Sequence, residues 1–87
     1  MVQVHEAKIL FEVSFDVRGD NYLVIYGKHI NGYFCCIPNW YIACEMAEPN
    51  DVFYNTEKLL NAKCPRYSAK EIAQVIRKSA QVLGNKE

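Results

Sequence analysis

Three groups of side chains are able to hold a ligand: Asn39-Trp40-Tyr41, Tyr54-Asn55, and Arg66-Tyr67 with Lys70. An aromatic ring stacks on a flat heterocycle, an amide reads its edge, and a cation or a helix N-terminus neutralises phosphate. All three kinds of group occur here beside expected strand–helix junctions. Together they point to a nucleotide-like small molecule. Trp40 or Tyr41 would stack on the base, Asn39 or Asn55 would read its edge, and Arg66 with Lys70 would meet phosphate. Taken singly, each residue has a plainer account: core packing for Trp40 and Tyr41, a solvated loop cation for Arg66, and turn or helix-surface hydrogen bonding for Asn39 and Asn55.

Bond-making chemistry has less to work with. His5 and His29 are the only histidines, and neither has a nucleophile or carboxylate at a known spacing. Serine-hydrolase, zinc-protease, P-loop and dinucleotide-binding patterns are missing, so no catalytic residue is assigned. Glu45, Glu48 and Asp51 form an acidic group, which reads as a strand end followed by a helix N-terminus, where negative charge suits the dipole. Cys35, Cys36, Cys44 and Cys64 include no Cys-x-x-Cys pair. Neighbouring Cys35 and Cys36 point to opposite sides of a strand. Buried reduced thiols are expected, with no metal and no cofactor.

The elements that must position these groups follow from hydrophobic periodicity. From His5 to Val17 the odd positions are mostly apolar and the even ones mostly polar, the period-two pattern of a strand with one wet face. Arg18-Gly19-Asp20-Asn21 predicts a turn. A second strand is expected over about Tyr22–Ile30, an Asn31-Gly32 type I′ turn next, a third strand over Tyr33–Ile37, a reversal at Pro38-Asn39, and a fourth strand over Trp40–Ala47. Glu48-Pro49-Asn50-Asp51 changes the composition. Asn50 or Asp51 is placed to cap a helix to about Ala62, with Val52, Phe53, Thr56, Leu59 and Leu60 on one stripe. Cys64-Pro65-Arg66-Tyr67 breaks it. Ser68 and Glu71 form a capping box for a second helix over about Ala69–Leu83. Its stripe is Ile72, Val75, Ile76, Ser79 or Ala80, and Leu83; Gly84 ends it, and Asn85-Lys86-Glu87 should fray. The expected fold is a four-stranded antiparallel meander followed by two helices on one face, an α+β domain spanning residues 1–87.

The stretch Tyr22–Met46 sets the problem of burial. Its only formal charges are Lys28 and Glu45, and its strands are apolar on both sides. Two helices cover one side. An open face bearing some of Tyr22, Tyr26, Tyr33, Trp40 and Tyr41 then calls for a second copy, making a homo-oligomer, or for another partner. Ten basic and ten acidic residues balance to zero in 87 residues, which argues against a duplex-DNA binder. Lys58, Lys63, Arg66, Lys70, Arg77 and Lys78 form a basic stripe, but Glu57 and Glu71 interrupt it. The N-terminus lacks a secretory leader, and no apolar run approaches bilayer length, so the cytoplasm is the expected location.

The pattern Glu45, Glu48, Pro49, Asp51, Phe53-Tyr54-Asn55-Thr56-Glu57-Lys58-Leu59, after an aromatic-rich strand pair, resembles a family of small uncharacterised proteins from phages and mobile elements of Gram-positive bacteria. The resemblance implies a small accessory protein of the host cytoplasm that antagonises bacterial immunity. The expected activity is non-enzymatic sequestration of a nucleotide-derived immune signal. The alternatives are a protein inhibitor of a defence enzyme, in the manner of anti-CRISPR proteins, and a structural or regulatory phage protein with no defence role.

Overall fold

The computed structural model describes residues 2–82, apart from the side chain of Arg66. Four strands, β1 (Lys8–Val17), β2 (Asp20–His29), β3 (Gly32–Ile37) and β4 (Ile42–Met46), pair in chain order as an antiparallel sheet. Helices α1 (Pro49–Lys63) and α2 (Arg66–Val82) follow and cover one face. The expected meander with two helices on one side is the observed fold.

The reversals exchange their expected roles. Val17 pairs with Asp20, so Arg18 and Gly19 are the central turn residues, and both have positive φ (53° and 88°). That is the type I′ signature expected at Asn31-Gly32. There, His29 pairs with Gly32, and Ile30-Asn31 make the turn without positive φ. Gly32 (φ 139°) is needed for another reason: a Cβ on it would stand 2.4 Å from the Met46 carbonyl oxygen.

Cross-strand partners share a face. Phe11, Val13, Phe15 and Val17 on β1 face α1 and α2 together with Tyr22, Val24 and Tyr26 on β2, Cys35 and Ile37 on β3, and Ile42 on β4. The helices contribute Val52, Thr56 and Leu60 from α1, and Ala69, Ile72 and Ile76 from α2. These positions recur every three or four residues, which keeps them on one stripe. Phe53, Leu59 and Ala80 flank the stripe at half-burial. Each fully buried Ile, Leu or Val removes enough apolar area from water to stabilise the fold by about 1.5–3 kcal/mol.

Several boundaries differ from expectation, each for a local reason. Regular structure begins at Lys8, not His5. A bulge between Ile9 and Phe11 breaks the alternation: Ile9 pairs with Gly27 and Phe11 with Tyr26. The odd-numbered stripe therefore stops at Phe11; Ile9 crosses to the other face at 49% exposure, while Leu10 packs toward the core. Trp40 belongs to a 3-10 turn, Pro38–Trp40, so β4 starts at Ile42. Tyr41 adopts the left-handed conformation (φ 54°, ψ 39°) and donates its N–H to the Pro38 carbonyl.

Helix α1 starts at Pro49 and is capped by the Glu48 backbone, not by Asn50 or Asp51. Proline's fixed φ suits the first helical position, where no N–H is needed. Asp51 then lies in the first turn, at the positive end of the dipole. At the other end Cys64 donates its N–H to Leu60 O, and Pro65 breaks the helix. Helix α2 also starts early. Ala69 N–H bonds the Pro65 carbonyl, which places Ser68 inside the first turn and buried, so Ser68 and Glu71 do not form the capping box. Leu83, Gly84 and the Asn85–Glu87 tail lie outside the described residues. Among the described residues no helix is long and apolar enough to cross a membrane.

Candidate functional site

The open face of the sheet carries aliphatic residues in place of the expected tyrosines. Tyr22 and Tyr26 are buried under the helices, where Tyr26 meets Phe11 (centroids 5.1 Å), Phe53 (4.8 Å) and Tyr33 (6.1 Å). Trp40 stacks on Tyr22 at 6.3 Å and 15°. Register places Ile9, Leu23, Ile25, Gly27, Phe34, Cys36 and Ala43 on the uncovered side. Leu23, Ile25, Phe34 and Cys36 are half-buried with no helix above them, and Ala43 is exposed. Phe34 lies flat across Gly27: a Cβ on Gly27 would stand 2.5 Å from the Phe34 ring and 2.6 Å from the Lys8 carbonyl oxygen. Glycine is what lets that ring lie down. His29 meets Phe34 edge-on at 5.7 Å, and its Nε2 lies 2.6 Å from Glu45 Oε2 in ion-pair contact without hydrogen-bond alignment. At the β1 border Ser14 donates to Asn21 Oδ1, and Asn21 Nδ2 donates to Asp16 Oδ1.

The eight ligand-binding candidates divide between two ends of the molecule. The meander puts the Arg18-Gly19 turn, the Pro38–Tyr41 connection, the end of α1 and the start of α2 at one end. Asn39, Trp40, Tyr41, Tyr67, Lys70 and the backbone of Arg66 are gathered there. Tyr54 and Asn55 lie near the opposite end of α1, about 12–14 Å along its axis from Lys63. Asn55 donates to Asp51 O within its own helix, and exposed Tyr54 has Lys58 over its ring at 5.5 Å.

At the shared end, three side chains already have structural partners: Asn39, Lys63 and Arg18. The Asn39 side chain accepts from Leu23 N–H and donates to Asn21 O, both at 3.0 Å. Its amide stands in for the β3 residues that would have paired with β2 had β3 not stopped at Ile37. Lys63 Nζ donates to the carbonyls of Trp40 (3.4 Å) and Tyr41 (3.2 Å). Arg18 lies 3.9 Å over the Tyr67 ring and 4.0 Å from Glu71. Trp40 Nε1 is shielded from water and has no hydrogen-bond partner among the described residues. The Tyr41 side chain is 90% exposed and Tyr67 is also exposed. Lys70 borders a separate groove of about 280 Å³ between the helices, floored by Ala69 and Ala73. Arg77 grips Glu57 there through two bonds of 2.6 Å, which raise its already high pKa.

The residues that carried the family resemblance are mostly structural. Glu45 contacts His29, Glu48 and Pro49 open α1, and Phe53 packs on Tyr26. Buried Thr56 donates to Val52 O, and Glu57 holds Arg77. The thiols are free. Cys35 and Cys64 are buried, while Cys36 and Cys44 are half-buried. Burial pushes the Cys35 thiol up to about 12 and raises the other three. Such thiols are poor nucleophiles.

The molecule is thus a two-layer α+β domain whose antiparallel sheet is, among the described residues, covered by helices on one side only. The chain belongs to a family of unknown function, DUF6618, whose model matches residues 1–84. The match spans nearly the whole chain, well beyond the central pattern that carries the resemblance. No curated protein and no solved structure matches it.

Proposed function

We propose that this protein is a non-enzymatic binding protein that acts by docking another protein on the open face of its sheet. The observation that carries the reading is that face itself: Leu23, Ile25, Phe34 and Cys36 form an apolar centre that the chain's own helices leave uncovered. An apolar patch with a polar border is the common anatomy of a protein interface. The setting is the one implied by the phage resemblance, in which such a protein inhibits a defence protein by occupying its surface. Capture of a partner by the tagged chain, followed by reconstitution from purified components, tests it. Ile25→Asp should abolish the complex, while Lys78→Glu on α2 should leave it intact. The opposite pattern would remove the open face from the function.

A second reading keeps the sequestration of a nucleotide-derived signal and places it at the loop end. It is favoured by two left-handed non-glycine residues, Arg18 and Tyr41, at the end that also exposes Tyr41 and Tyr67. Backbone strain of this kind collects at ligand clamps. A thermal-shift screen with cyclic dinucleotides and ADP-ribose derivatives separates the two readings. Stabilisation by one ligand, lost in Tyr41→Ala and Tyr67→Ala and with the ligand recovered intact, selects sequestration. Stabilisation by none leaves docking on the sheet.

A further inference from the structure

Resting on the reading of the open face as a protein-docking surface, we infer that its occupant is a basic amphipathic helix of a partner protein, with an apolar stripe flanked by lysines or arginines. The net charge of zero conceals a sorting by face. Glu12, Asp16 and Glu45 stand on the open side with His29, which lies 2.6 Å from Glu45, and register places no lysine or arginine there. The basic residues with described side chains lie off that face. Lys8, Lys28 and Tyr33 share a row facing the helices, Arg18 covers Tyr67, and Lys58, Lys63, Lys70 and Lys78 ride on α1 and α2.

The carboxylates also have a useful spacing. Glu12 pairs with Ile25 on the β1 side, and Glu45 pairs with Phe34 on the β4 side, so acids border an apolar strip from both edges. Three strand spacings separate β1 from β4, about 14 Å. An α-helix with its side chains is about 10–12 Å across. A helix laid along β2 and β3 would set its apolar stripe on Leu23, Ile25 and Phe34. Its flanks would lie over Glu12 and Asp16 on one side and Glu45 on the other. Small side chains at Cys36 and Ala43 permit a close approach. The docked helix would complete a third layer.

The same charges disfavour other occupants. A second copy placed face to face would bring both sets of Glu12, Asp16 and Glu45 together with no lysine or arginine between them. Nucleic acid and anionic lipid would be repelled.

A panel of synthetic helix-forming peptides tests the inference: a leucine stripe flanked by lysines, the same stripe flanked by glutamates, and a scrambled lysine peptide. Anisotropy gives affinity, and amide chemical shifts give location. The lysine-flanked peptide should bind at least about tenfold tighter than the other two. It should shift amides of Leu23–Gly27 and Phe34–Cys36, and lose about tenfold with the double variant Glu12→Lys, Asp16→Lys. The milder pair Glu12→Gln, Asp16→Asn guards against misfolding and should weaken binding in the same direction. Glu71→Lys, on the helix side, should change nothing. Preference for the glutamate-flanked peptide at those strands, or indifference to both pairs of substitutions, overturns the basic partner but leaves docking on the open face standing. Open-face amides that no peptide shifts would remove both. Salt-sensitive self-association mapped to this face would make a second copy the occupant and overturn the inference.

Discussion

Tyr26 and Gly27 are neighbours on β2 and show how differently the two faces of the sheet are built. Tyr26 points under the helices into a cluster with Phe11, Tyr33 and Phe53. Gly27 faces the other way, with the Phe34 ring and the Lys8 carbonyl across it. Cys35 and Cys36 repeat the contrast one strand over: the first is fully buried, the second half-open. The covered face fills volume with aromatic and branched residues. The open face uses small and aliphatic residues beside two rings, Phe34 and His29, with Phe34 laid across Gly27. Helices demand interdigitation on the covered side, whereas the open side has no helix to fit. A face that needed only solvation would alternate polar residues throughout, as β1 does at Glu12, Ser14 and Asp16.

The sharpest test of that contrast uses one residue type on both sides. Ile37→Ala, at a fully buried site, should cost about 2–5 kcal/mol in a denaturant titration. Ile25→Ala on the open face should cost less than about half as much, since its cavity opens to water. Equal costs would mean that the open face is as well packed as the core. Gly27→Ala comes next. Its methyl group meets the Phe34 ring and the Lys8 carbonyl, and about 1–3 kcal/mol of overpacking strain is expected. Adding Phe34→Leu should return part of it by freeing the ring's space; failure to do so would shift the blame to the Lys8 backbone.

The thiols sharpen the comparison through pH. Cys35 holds its proton in the fold up to about pH 12, while the unfolded thiol ionises near 9. Between those values the unfolded chain has released a proton that the native state retains, so stability falls as pH rises. The expected loss is about 1.4 kcal/mol per pH unit above 9 for Cys35. Cys35→Ala should flatten that slope across pH 9–10.5, and Cys36→Ala should flatten it less. The smallest effect belongs to the exposed Arg77–Glu57 pair, outside both faces. Arg77→Gln should lower the melting temperature only slightly, and about 1 M salt should erase the difference.

Much of the architecture was legible because short-range signals agreed. Alternation marked β1 from Phe11 to Val17, the turn residues separated the strands, and three-to-four spacing marked both helices and their buried stripes. The bulge was hidden because Ile9, Leu10 and Phe11 are all apolar, so an extra residue leaves no break in polarity. Alternation also grouped Tyr22, Val24 and Tyr26 opposite Leu23 and Ile25, but it could not say which group the helices would choose. That choice decides what the open face is made of. Among the ligand candidates, the meander accounts for the gathering of Asn39, Trp40, Tyr41, Tyr67 and Lys70 at one end. The commitment of Asn39 to β2 depends on β3 stopping short, which no local pattern signals. Charge sorting was invisible for the same reason: it is a property of register.

The extra residue at Leu10 has one more consequence. β1 is an outer strand with a free row of amides and carbonyls, the sort of border along which foreign chains stack. The irregularity beside Ile9 interrupts that row and bends it. An intruding strand laid along β1 would lose step at that irregularity, so pairing along this border is confined to Phe11–Val17.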